Sequence, residues 1–373
     1  MSPTSKALSS IRLAARQLRD LTGRNHSLLT GRGAAGLWAT LRALGLLDRA
    51  ILLPANTCYV VLWAVLESGN QPILVDIDPN TGNLSIEGLK TAKNSLPAAI
   101  IPCHMYGLGA PMTSICQWAR EKGAVVIEDA ALAIGGIVED RPAGSWGDVS
   151  IFSFGLEKIV DVEVGGAVLT DDAALAKEIA QVLESVPLWD ERLAAMTAQW
   201  NSLYWALHQY ETDNPRLLSL YPQLFDLYRD LVVYRLPDRY WDDLPAALTE
   251  LPANLAHRAH LAAICDELLA DLPVRTLPRP EGSILWRYPL LVPAENRDDL
   301  LNHLWSNGVR DATRWYPALG HMRAALAPDL LSQETPNADR FAAEIVNLTV
   351  DRSVEEGDAR RVMALIRNYF ADS

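Results

Sequence analysis

Short apolar runs alternate with amphipathic stretches through the first half of the chain. "AILLPA" (50–55), "QPILVDID" (71–78), "AAIIPCHMYG" (98–107) and "AVVIEDAA" (124–131) are rich in Ile and Val and end at Pro, Gly or Asp, which predicts strands. Between them "AGLWATLRALGLL" (35–47), "TCYVVLWAVLESG" (57–69) and "MTSICQWAREKG" (112–123) carry apolar residues at helical spacing and end near Gly. Strand and helix in alternation predict a mostly parallel sheet with helices on both faces, an α/β fold. Ligands in such sheets bind beyond the carboxyl ends of the strands, so the residues just after each strand are the ones to read for chemistry.

The rhythm changes twice. Residues 186–247 are crowded with Trp, Tyr and Leu at helical spacing and lack glycine punctuation, which predicts a helical insertion. An ordinary subdomain or oligomer interface is the favoured role, and a lid over a pocket the second. From 248 a long helix leads to "WRYPLLVP" (286–293), a further helix, "NLTVDR" (347–352) and a last helix, the order of a smaller α+β domain. The expected organisation is an N-terminal arm and large α/β domain over 1–185, the insertion over 186–247 and the small domain over 248–373.

Composition narrows the function. The 373 residues are 49% hydrophobic and 21% charged, with a net charge of −13. An acidic chain of ordinary globular balance lacks the basic footprint that nucleic acid or an anionic membrane demands, and no apolar run is long enough to span a bilayer. The four cysteines (Cys58, Cys103, Cys116, Cys265) form no pair or cluster with metal-ligand spacing. Reduced thiols in the cytoplasm, and no metal site, are therefore expected. The basic start "MSPTSKALSSIRLAARQLRD" reads as an amphipathic first helix more readily than as a transit peptide.

Two residues after strands carry the chemical argument. Asp129 closes the apolar run 124–129, and Lys158 lies in the loop between Ser150–Phe154 and Gly165–Leu169. A lysine for covalent attachment and an aspartate for a pyridinium nitrogen are the two protein groups that pyridoxal phosphate requires. A phosphate needs backbone amides at a helix start, which "TGRGAAGLWATL" supplies at Gly33, Ala34 and Ala35, and Ser153 offers a hydroxyl. His104 and Tyr106, after the third run, are candidates for the cofactor or substrate side of the crevice, and Arg314 for a substrate anion. Asn56 and Thr57 are expected to cap a helix.

In the order of "GAAGLWATLRALGL", "ILLPANTCYVV", "PILVDIDPNTGNL", "IIPCHMYGLGAPM", "VVIEDAALAIGG", "GSWGDVSIFSFGLEK" and "VGGAVLTDD" the chain resembles the DegT/DnrJ/EryC1/StrS family. These are pyridoxal-phosphate sugar aminotransferases of the type I, aspartate aminotransferase-like fold. The resemblance implies Lys158 as Schiff-base lysine, Asp129 as partner of the pyridine nitrogen, and Ser153 with the amides of Gly33, Ala34 and Ala35 as the phosphate cradle. It also implies a homodimer with shared active sites, and amino transfer from a small-molecule donor, usually glutamate, to the keto group of a nucleotide-linked sugar. The chain departs from the pattern at Leu132 and Ala34, and at Cys58, where a ring-stacking aromatic is expected and Tyr59 is adjacent. It departs again at Pro245 and Ala247, for which Arg235 and Arg239 are candidate replacements. These departures keep open another pyridoxal-phosphate reaction (elimination, decarboxylation or cyclisation), and behind it a non-catalytic binding or assembly role.

Overall fold

The computed structural model describes residues 3–92, 96–209, 219–330 and 334–372; positions 210–218 of the expected insertion lie outside the described residues. Helix α1 (Pro3–Thr22) opens the chain as an amphipathic helix. It buries Ala14 and Leu18 and is tied to a distant segment by Ser10 Oγ donating to Asp242 (3.0 Å) and Gln17 Nε2 to the Pro245 carbonyl (3.1 Å).

A seven-stranded sheet follows. In chain order come β1 (His26–Thr30), α2 (Gly33–Ala43), β2 (Ala50–Pro54), α3 (Tyr59–Glu67), β3 (Gln71–Val75), α4 (Ile86–Thr91), β4 (Ala99–Ile100), α5 (Met112–Lys122), β5 (Val125–Asp129), a small hairpin of β6 (Ile137–Val138) and β7 (Arg141–Pro142), then β8 (Val149–Ser153), β9 (Gly166–Thr170) and α6 (Ala173–Glu184). The spatial order is β1-β9-β8-β5-β4-β2-β3. Strands β3, β2, β4, β5 and β8 run parallel, while β9 is antiparallel to both β8 and β1. The β2 residues Ile51, Leu52 and Leu53 are fully buried, as a sheet covered on both faces requires.

The strand expected over 98–107 shortens to two residues, because Pro102 has no N–H with which to continue the ladder. The chain then turns through a 3₁₀ turn at Met105–Gly107. Asn56 and Thr57 do not cap α3: Cys58 holds the cap position without a side-chain bond. Instead Asn56 donates to the Gly82 carbonyl and Thr57 to the Cys103 thiol, so both pin loops beyond the strand ends.

The aromatic-rich segment forms α7 (Glu191–Gln209) and short helices at Tyr221–Asp226 and Tyr228–Val232. Its rings pack on α3, with centroids 4.3 Å apart for Tyr59–Tyr204 and 5.0 Å for Trp63–Tyr228. Beyond it, helix Leu251–Leu269 leads to a three-stranded antiparallel sheet of β10 (Arg275–Thr276), β11 (Tyr288–Leu291) and β12 (Ile345–Leu348). Among the described residues no helix is long and apolar enough to cross a membrane, and no cluster of His, Cys, Asp or Glu is arranged to hold a metal ion.

Candidate active site

The carboxyl ends of the parallel strands open into a cavity of about 360 Å³. Its floor is the end of β5 and the loop after β8. Asp129, the last residue of β5, lines it, and its Oδ1 accepts the Ala131 N–H at 3.0 Å in a tight local turn. Burial pushes the Asp129 carboxyl above its ordinary range, opposed by the Ala131 N–H and the charge of Lys158.

Lys158 lies in the loop from Phe154 to Gly165 that joins antiparallel strands β8 and β9. Asp161 fixes that loop by accepting the N–H groups of Glu157 and Glu163, both at 2.7 Å and both with positive φ. Asn254 adds a bond to the Ile159 carbonyl. The neighbouring Glu157 carboxylate pairs with Arg287 at 3.0 Å rather than with Lys158. Among the described residues Lys158 has no ion-pair partner, and its ammonium stands 5.7 Å from the Trp286 ring centroid. The amine therefore points into the cavity without a carboxylate to occupy it.

One side of the cavity is the start of α2. Gly33, Ala34 and Ser153 line it, whereas Ala35 is buried behind them. Arg32, at the cap position, makes no capping bond, so the Ala34 and Ala35 amides of the first turn have no protein partner from that position. Cys58, Tyr59 and Leu132 form an opposite, largely apolar wall. Burial raises the Cys58 thiol above its ordinary range despite Lys158 nearby, which keeps it neutral.

Of the remaining sequence candidates only His104 lines the cavity, and it is committed elsewhere. Its Nδ1 accepts the Ala110 N–H at 3.1 Å, which leaves Nε2 to donate to the buried Glu128 at 2.9 Å. Tyr106 does not reach the cavity: it is fully buried among Tyr316 and Phe341. Arg314 is also outside the cavity lining and lies 3.8 Å from Asp298. Its neighbours Trp315 and Tyr316 line the pocket instead, with Trp315 stacked on Trp286 at 5.8 Å. Arg235 and Arg239 do not enter the cavity of their own chain. Sequence reasoning missed Arg32, Asn201, Tyr204, Tyr228, Trp286, Trp315 and Tyr316; Arg32 sits at the start of α2 without a local pattern to mark it, and the other six reach the strand ends through tertiary packing.

The DegT/DnrJ/EryC1/StrS aminotransferase family model matches residues 9–190 and 244–367. The chain belongs to this family. Residues 191–243, which supply Asn201, Tyr204 and Tyr228, fall outside the match. The aminotransferase is 26% identical over 353 residues to UDP-N-acetyl-3-dehydro-alpha-D-glucosamine 3-aminotransferase of Acidithiobacillus ferrooxidans, covering 94% of this chain and 86% of that one. It is 28% identical over 360 residues to dTDP-3-amino-3,4,6-trideoxy-alpha-D-glucose transaminase of Streptomyces venezuelae, covering 92% and 83%. Its fold matches NtdA of Bacillus subtilis, solved with bound cofactor PMP, with TM-score 0.76 and 21% identity over 99% of this chain and 82% of that one.

The protein is thus an enzyme of pyridoxal-phosphate chemistry on the type I fold. The cavity lining suits the cofactor: an uncapped helix start with a guanidinium and a hydroxyl beside it for a phosphate, a half-buried carboxyl at a strand end, and a lysine that has no carboxylate partner among the described residues.

Proposed function

We propose that this aminotransferase moves an amino group from glutamate to the keto group of a sugar or sugar-like acceptor, with Lys158 and Asp129 as its catalytic pair. The observation that carries this reading is that both residues line one cavity at the strand ends, Lys158 without an ion-pair partner and Asp129 with its carboxyl pushed up by burial. Pyridoxal phosphate, when bound, supplies an electrophilic carbon and a ring that takes up the electrons of a carbanion. Lys158 would hold the cofactor through its Nζ, and the same amine, when free, would carry the proton as base and then acid. Asp129 would hold the ring nitrogen, and a cation beside it would offset the cost of ionising this carboxyl. Ser153 and the amides of Gly33, Ala34 and Ala35 orient the phosphate. Leu132, Cys58, Tyr59 and the Trp286–Trp315 stack exclude water from the ring.

In this reading residues 1–185 hold the cofactor, 186–247 close the cavity and 248–373 bring the indole wall. The nucleotide-linked substrates in the relatives' names support a nucleotide-linked acceptor. Exposed Leu156 at the cavity edge, with Leu188, Leu203 and Leu227, supports a second copy of the chain as partner. Four unpaired cysteines suit a cytoplasmic enzyme.

The test is a pair of half-reactions with the cofactor-loaded protein. Glutamate should convert the bound cofactor to pyridoxamine phosphate with one 2-oxoglutarate released per site, and a nucleotide-linked keto sugar should restore it. Conversion by no amino acid donor would refute amino transfer by this chain. Restoration by small keto acids but by no keto sugar would refute the acceptor class.

A further inference from the structure

The segment outside the family match also packs behind the phosphate end of the cavity, where Tyr234 meets Gly31 and Arg32. Tyr234 is fully buried and sits against the loop before α2. A Cβ on Gly31 would come within 2.1 Å of the Tyr234 carbonyl oxygen and 2.6 Å of its ring, so only glycine permits the contact. The Tyr234 hydroxyl accepts Arg32 Nε–H at 2.8 Å, and its ring centroid is 5.9 Å from the guanidinium.

Arg32 is therefore aimed, and no carboxylate among the described residues neutralises it. It lines the cavity beside Gly33, Ala34 and Ser153. Among the described residues its terminal amino groups have no hydrogen-bond partner and no carboxylate lies within 4.0 Å of it. A half-buried guanidinium held by a phenol alone leaves its remaining N–H groups free for an anion to complete. Ala34 brings no hydroxyl to the same helix start, which leaves a donor to be supplied from elsewhere.

We infer that Arg32, positioned by Tyr234 of the inserted segment, is a clamp for the 5′-phosphate of the cofactor. The inference rests on the cavity holding pyridoxal phosphate, as proposed above. The planar fork offers two parallel N–H groups to a phosphate, which a lysine does not reproduce. The insertion then does more than cover the pocket: through Tyr234 it sets the charge at its phosphate end.

The experiment compares Arg32→Met, Arg32→Lys and Tyr234→Phe with the parent protein. Dissociation constants for pyridoxal phosphate and for pyridoxal, which lacks the phosphate, are read from tryptophan quenching and cofactor absorbance. Arg32→Met should weaken pyridoxal phosphate about 10- to 100-fold and leave pyridoxal within about twofold. Arg32→Lys should fall between, and Tyr234→Phe should weaken pyridoxal phosphate about threefold, since it loses one bond to the clamp and not the charge. An unchanged constant for pyridoxal phosphate in Arg32→Met would overturn the clamp. So would an equal loss for both ligands, or an effect confined to the acceptor's KM, which would place the clamp on an acceptor phosphate. If the parent protein bound neither ligand, the cofactor reading itself would fall; if it bound both without preferring the phosphate form, only the clamp would.

Discussion

Asp129 and Lys158 solve opposite problems with the same surroundings. Burial makes the carboxyl reluctant to ionise, and the arrangement around it brings Lys158 close enough to oppose that effect. A carboxyl raised in the folded state favours folding at pH below its unfolded range and loses that contribution as pH rises through its folded value. At neutral pH the ionised group is therefore a burden until a cation meets it. Asp129→Asn should raise the thermal midpoint of the cofactor-free protein by about 1–2 °C at neutral pH, and should abolish that advantage once cofactor is added. A lower midpoint in the cofactor-free variant would contradict this. Both positions were legible in the sequence because Asp129 closes an apolar run and Lys158 lies in the loop between two others. Arg32 was not, because a lone arginine before a glycine carries no pattern; its meaning depends on Tyr234, 202 residues away.

At the scale of elements, the site depends on how the end of β5 is braced. Glu128 points away from Asp129 along the strand and is fully buried. It accepts His104 Nε2–H at 2.9 Å, and the N–H groups of Gly144 (2.6 Å), Trp146 (2.8 Å) and Gly147 (3.1 Å). Burial alone would raise this carboxyl, but the hydrogen bond from His104 and those from the Gly144 and Gly147 amides outweigh it and leave it below its ordinary range. Its contribution is present above the unfolded carboxylate pKa and is lost as pH falls through the folded value. Glu128→Gln turns an amide nitrogen toward donors and should cost about 3–5 kcal/mol at neutral pH. The variant's denaturant midpoint should depend less on pH below about 4 than the parent's; an unchanged acid slope would show that another group governs it. The sequence offered His104 as a candidate for the cofactor or substrate side of the crevice, whereas in the structure it braces the strand. The difference arises because its partner Glu128 is held by the loop at 144–147, which periodicity does not place. Strand β1 (His26–Thr30) was missed for a related reason: its side chains are mostly half-buried, and its pairing with β9 is set across 140 residues.

At the scale of the molecule, the parallel sheet was legible because strands covered on both faces are continuous apolar runs. The closure of the cavity was not. Trp286, Trp315 and Tyr316 arrive from the C-terminal part of the chain, and Asn201, Tyr204 and Tyr228 from the segment that the family model leaves unmatched. These residues place an aromatic enclosure around Lys158 within one chain. A lysine at the floor of this enclosure is placed to take the cofactor. The direct measurement is to load the protein with pyridoxal phosphate, reduce it with borohydride, digest it and locate the added mass. The account predicts one labelled site, on the peptide containing Lys158, and no label in Lys158→Ala. A label on another lysine, or labelling that survives Lys158→Ala at full yield, would contradict it.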